Sequence, residues 1–138
     1  MQQPEHACAL LVDERGRLVL QLRPTWVRHA AGLLTCFGGK REEDETAAAC
    51  LRRELAEETG WRPAQVPDTG VDLRSGERLI ARFVPLLLPA GTSIRPEPGF
   101  IEIRADWRTL PALPLSPWHQ AVIDGWYAGR TVVEVDDG

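Results

Sequence analysis

"GKREEDETAAACLRRELAEETGW", residues 39–61, crowds the carboxylates of Glu54, Glu57 and Glu58 into one short run. From about Thr46 to Thr59 the residues are good helix formers without Gly or Pro, and Gly60 stands where a helix stop belongs. The pattern predicts a helix there, with Asp44 or Thr46 as its cap. On a helical wheel started at Glu54, Glu57 falls at about −60° and Glu58 at about +40°, while Leu51, Leu55 and Ala48 fall at about 60°, 100° and 120°. One flank is apolar and the adjoining flank is acidic. Carboxylates three and four residues apart repel by roughly 0.2–0.5 kcal/mol per pair. A hard divalent cation such as Mg2+, which takes oxygen ligands and binds phosphates as well, would offset that cost. Gly38 and Gly39, just upstream, would expose backbone oxygens to it.

Outward from this helix the chain reads mostly as strands. "ACALLV", "DERG" and "RLVLQLR" form a hairpin signal, and Leu33 to Phe37 reads as a strand delivering the chain into a Gly38-Gly39 bend. Downstream, "WRPAQVPDTG" is a connection and "RLIARFVPLLL" a strand in which Pro85 implies an edge or a bulge. "PAGTSIRPEPG" is loop, and "FIEIRADW" holds another strand. A last helix is expected in "LPALPLSPWHQAVIDGWYAGR", with Ser116 as cap, Pro117 at the first position and Gly129 past the end. Its apolar stripe would bury Trp118, Val122, Ile123, Trp126 and Tyr127. The expected fold class is mixed α/β, a mixed sheet between helices, in one domain over 1–138.

Composition sets bounds on function. With 43% hydrophobic and 26% charged residues and a net charge of −4, the chain is ordinary for a globular protein and poorly suited to holding nucleic acid or an anionic membrane by bulk charge. Lys40 is the sole lysine, and the arginines suit bidentate phosphate recognition. Cys8, Cys36 and Cys50 form no C-x-x-C pair, which points away from a disulfide framework or a zinc site. "ACALLV" is too short for a signal peptide or membrane span, so the sequence reads as soluble and cytoplasmic.

Gly39, five residues, Glu45, seven residues and then "RELAEETGW" resemble the signature of the Nudix hydrolases, with every glycine and charged position filled at the right spacing. Trp61 stands where an aliphatic residue is usual and Phe37 where a proline commonly precedes the glycines. The resemblance implies the Nudix fold and a Mg2+-dependent pyrophosphohydrolase, with Mn2+ as a substitute. Glu54, Glu57 and Glu58 would be metal ligands, joined by the Gly38 carbonyl, and Arg53 would orient Glu57 by a charge-assisted hydrogen bond. Glu45 would lie near the cluster or brace the loop. The general base would be Glu57, then Glu54, with Glu102 and Glu97 as downstream candidates. Relatives are frequently homodimers, and no interface signature in the sequence assigns one.

The substrate side is read more thinly. Gly39, Lys40, Arg23, Arg28 and Glu102 are the candidate binding residues, and Trp26 and His29 accompany the two arginines in a segment that could frame a base or a phosphate. Trp107 reads as core, and His6, His29 and His119 lack ligand spacing. Within the resemblance, the substrate is a nucleoside triphosphate, oxidised ones included, ahead of ADP-ribose, another nucleotide sugar or a dinucleoside polyphosphate. Two other functions use this fold. A non-catalytic nucleotide sensor often lacks signature glutamates, and an isoprenoid diphosphate isomerase has a degenerate signature; here none of those glutamates is missing.

Overall fold

The computed structural model describes residues 2–136. The strands are β1 (His6–Val12), β2 (Leu18–Leu22), β3 (Leu34–Thr35), β4 (Gly38–Lys40), β5 (Val71–Ser75), β6 (Arg78–Leu87), β7 (Ile101–Ala105) and β8 (Val132–Glu134). The helices are α1 (Ala47–Thr59) and α2 (Pro117–Tyr127), with a 3-10 turn at Leu110–Ala112. The strands run β3-β2-β1-β6-β5-β8, with β4 added to β1 and β7 to β2. β1 runs parallel to β6 along its whole length, and β5 runs parallel to β8; the other pairings are antiparallel. This is the mixed sheet between helices that the sequence predicts.

Alternation along the central strand places a helix on each face. Ala7, Ala9 and Leu11 pack with Ala47, Cys50, Leu51 and Leu55 of α1, whereas Cys8 and Leu10 belong to the cluster holding Val122 and Ile123 of α2. From Ala7 to Val12 β1 is therefore apolar without a break, as a strand covered on both sides must be. Trp61 packs at the margin of the α1 cluster, a role its apolar character is enough to fill.

Several expectations are corrected. Gly38 and Gly39 are not a bend but part of β4, in register with Cys8 and Ala7 of β1, and the expected strand over Leu33–Phe37 shrinks to Leu34–Thr35. Pro85 sits in a strand paired to β1 through Leu10↔Pro85, while β5 stops at Phe83; the edge is thus one-sided, and the irregularity lies instead at Leu73/Arg74 of β5. β5 and β8 were not anticipated. Ser116 occupies the cap of α2 without a side-chain hydrogen bond, its amide donating to Leu34 O at 2.9 Å. Tyr127 is exposed rather than core, its ring lying 4.7 Å from that of half-buried Trp107.

Candidate active site

The ends of α1 are fixed by its own sequence. Thr46 Oγ1 accepts from the Ala49 amide at 3.1 Å, and Gly60, at φ 75°, donates its N–H to Ala56 O at 3.0 Å. That phase buries Leu51 and Leu55 and carries Glu58 down with them, leaving it only 8% exposed. The side chain of Glu54 is 16% exposed and that of Glu57 58%, so the three carboxylates descend from the solvent rim into the interior.

β4 meets them from below. The Gly38 N–H donates to Glu58 Oε1 at 2.7 Å. A Cβ at Gly38 would overlap Ala7 O and lie 2.5 Å from Cys8 Cα, and one at Gly39 would fall 2.5 to 2.7 Å from the Glu54 carboxyl atoms. One glycine admits β1 and the other admits the glutamate.

Arg53 ties the acidic side chains together. Its Nε and Nη2 donate to the two oxygens of Glu45 at 2.8 and 2.9 Å, its Nη1 to Glu54 at 2.9 Å, and Nη2 also reaches Lys40 O at 3.2 Å. Glu57 lies 3.6 Å from Nη1, an ion pair, so the hydrogen bond expected of Arg53 goes to Glu45 and Glu54 instead. The Arg53 bonds, aided by the Glu42 amide, pull the Glu45 carboxyl down to about 2. Glu45 is thereby a permanently charged brace for the arginine.

The other two carboxyls are shifted the opposite way. Burial, reinforced by Glu54 and Glu97, pushes Glu58 up to about 8 against the Gly38 amide and the Gln21 side chain, which favour its ionised form. Burial also raises Glu54, with Glu57 and Glu45 adding to it and Arg53 opposing. Two neighbouring carboxylates that resist ionisation form an environment short of positive charge. Among the described residues no three His, Cys, Asp or Glu side chains already gather as a closed metal cage. Glu54, Glu57 and Glu58 carry hard carboxylate oxygens, the donor type taken by a cation that keeps waters and accepts phosphate oxygens. Cys36 is buried with its thiol pushed up to about 12 by desolvation, so it is no nucleophile.

The candidate binding residues divide. Gly39 abuts Glu54, and Glu102 on β7 stands in register with Gln21, whose side chain favours the ionised form of Glu58; Glu102 is also paired to Arg104 at 2.6 Å. Lys40 ends β4 with an exposed side chain and contributes its carbonyl to Arg53. Arg23 and Arg28 sit in the loop between β2 and β3, Arg28 exposed and Arg23 donating to His29 O at 2.9 Å. Sequence reasoning missed Gln21 and Thr35, which face one another across β2 and β3; Thr35 Oγ1 is buried without a partner among the described residues. The signal for Gln21 was a single amide inside the apolar strand "LVLQL". It also missed part-buried His119, whose Nδ1 accepts the Cys36 amide at 3.1 Å and whose ring meets that of Phe83 edge-on. Asp13 is buried, its carboxylate held by Arg17 at 2.9 Å and Arg104 at 3.2 Å.

The sequence matches the model of the NUDIX domain over residues 2–126. No curated protein matches it. Similar solved structures include the MutT protein from Methanosarcina mazei Go1, with a TM-score of 0.70 at 19% identity over 94% of this chain and 97% of that one. The E. coli ORF135 protein gives 0.66 at 24% identity over 93% and 91%. The NUDIX domain of Shewanella oneidensis NrtR, solved with ADP ribose, gives 0.68 at 18% identity over 94% and 89%. These likenesses carry the fold, and the family rests on the match across nearly the whole chain: it belongs to the Nudix hydrolases, a family of pyrophosphohydrolases.

Proposed function

We propose that this chain is a Mg2+-dependent pyrophosphohydrolase that splits the diphosphate bridge of a nucleoside diphosphate derivative, with a nucleoside triphosphate, oxidised ones included, as the favoured substrate. The observation that carries the reading is the buried Glu58, gripped by the Gly38 N–H at 2.7 Å beside a Glu54 for which Gly39 leaves room. Glu54, Glu57 and Glu58, with the Gly38 carbonyl, would hold the cation. When bound, it would lower the pKa of the attacking water and neutralise charge on the phosphoryl oxygens. Arg53 keeps Glu54 and Glu45 in place, and Glu54, whose pKa burial raises, suits the role of proton acceptor better than the exposed Glu57. Among the described residues no helix is long and apolar enough to cross a membrane.

The test is release of phosphate from a nucleotide panel with Mg2+ or Mn2+, coupled to a pyrophosphatase or a phosphatase, comparing the wild type with Glu58→Gln. Turnover that falls by orders of magnitude in the variant supports the reading, and near-wild-type turnover contradicts it. The NUDIX domain of NrtR, solved with ADP ribose, favours a second reading, a module that binds such a nucleotide without cleaving it. Binding of ADP-ribose with no turnover of any diphosphate would select that one.

A further inference from the structure

The loop between β2 and β3 raises a tryptophan into solvent, and nothing in the packing of the core calls for it. Trp26 is 74% exposed, although the loop that bears it is closed at its base by Arg23 N to Leu33 O at 3.0 Å and Gly32 N to Arg23 O at 3.1 Å. One part of the indole rests on Gly99, where a Cβ would overlap Cζ2 and lie 2.7 Å from Cη2. Beside this contact the Arg23 guanidinium lies 5.3 Å from the centre of the Phe100 ring, so the same two loops touch twice. Both loops adjoin the candidate site. β2 leads into the first one residue after Gln21, whose side chain acts on Glu58, and the second contains Glu97, close enough to Glu58 to act on it electrostatically. A rigidly seated, solvent-facing indole at that place is a ready platform for an aromatic ring, because every nucleobase has a π-face.

We propose that the open face of Trp26, seated on Gly99, stacks on the base of the substrate and so selects a nucleoside-linked diphosphate over one borne on a non-aromatic sugar or alcohol. The assignment rests on the pyrophosphohydrolase reading for its kinetic consequence and on binding alone for its physical content. Trp26 is thus a specificity residue, with no part in the bond-breaking step.

The experiment compares wild type, Trp26→Ala, Trp26→Phe and Gly99→Ala on two probes, a nucleoside triphosphate and ribose 5-triphosphate, which lacks the base. Trp26→Ala is expected to raise KM for the nucleotide roughly ten- to a hundred-fold with kcat within about three-fold, the span that loss of base–aromatic stacking covers. It should leave ribose 5-triphosphate unaffected, while Trp26→Phe retains most of the affinity and Gly99→Ala, which both strains a backbone held at φ 87° and dislodges the indole, resembles Trp26→Ala. An equal change on both probes, or none on the nucleotide, overturns the proposal. Should no probe turn over, calorimetric binding of the nucleoside monophosphate against ribose 5-phosphate decides it on the same criteria, so failure of the hydrolase reading and failure of the platform remain distinct. All four proteins should keep wild-type circular dichroism, since the indole contributes little to the core.

Discussion

The Glu54 carboxyl lies against the α-carbon of Gly39 so closely that a Cβ there would stand 2.5 Å from Glu54 Cδ. The first glycine of the recognised spacing and its second glutamate are therefore one steric unit, although fifteen positions of sequence separate them. Gly39→Ala should push Glu54 aside and lower kcat/KM by about a hundred-fold, the scale of a misplacement near 1 Å. Gly38→Ala meets backbone instead, at Ala7 O and Cys8 Cα, and should lower the melting temperature as well as activity. Paired measurements of kcat/KM and Tm on the two variants check the division; a Gly39→Ala enzyme with full activity would refute it.

Arg53 and Glu45 should behave as one element. Arg53→Lys keeps the charge but loses the two-pronged bond to Glu45, and Glu45→Gln weakens the same bond from the other side. Each should reduce turnover, and the double variant should be little worse than either single one. In stability, a double-mutant cycle should return a coupling of about 1 kcal/mol after allowance for solvent screening. Strict additivity in both readouts is the contrary result.

Metal-free protein should lose stability as pH rises from about 5 to 8. Burial holds the Glu58 carboxyl near 8 in the folded chain against 4.5 as its ordinary value, so between those limits the folded state keeps a proton that the unfolded state has shed. The contribution is complete below 4.5 and is lost as pH climbs through the folded value. Thermal melts with a chelator present should slope downward over this window, and Glu58→Gln should flatten them. Mg2+ or Mn2+, by binding the ionised form, should raise Tm more at pH 8 than at pH 5. A melt indifferent to saturating metal at the higher pH counts against the ligand set.

His119 should act in the reverse direction. Desolvation, with Arg23 and His6 adding to it, drops its pKa to about 4 from an ordinary 6.5, so the folded state refuses a proton that the unfolded chain accepts. Its stabilising effect is whole above 6.5 and is lost as pH falls through about 4. Denaturant midpoints of wild type minus His119→Gln across pH 4 to 6.5 should trace that rise, and a flat difference would show that the ring is not held neutral.

The sequence disclosed α1 and its acidic flank because both are local: the cap, the stop and the wheel phase all lie within Thr46 to Gly60. What it concealed was set by pairing across long separations. Gly38 and Gly39 look like a bend on their own and become a strand only because β1 lies opposite them. Val132–Glu134 is too short to announce itself and exists as a strand beside β5. Gln21 and Thr35 gained their positions from register, which places them face to face across β2 and β3. Tyr127 sat on the expected stripe of α2, yet that stripe runs out of core at the end of the helix, where the ring meets Trp107 in the open.

Beyond Phe83, β6 has β1 on one side and no strand of the described chain on the other. Because the ladder to β1 continues through Leu10↔Pro85, the amide hydrogen that proline lacks is the one that would have pointed outward. An incoming strand from another molecule would find a gap in its row of donors there, flanked by Leu86 and the exposed Leu87. Pro85 thus guards an apolar border against intermolecular zippering, and Pro85→Val should make the protein more prone to aggregate while leaving its chemistry unchanged.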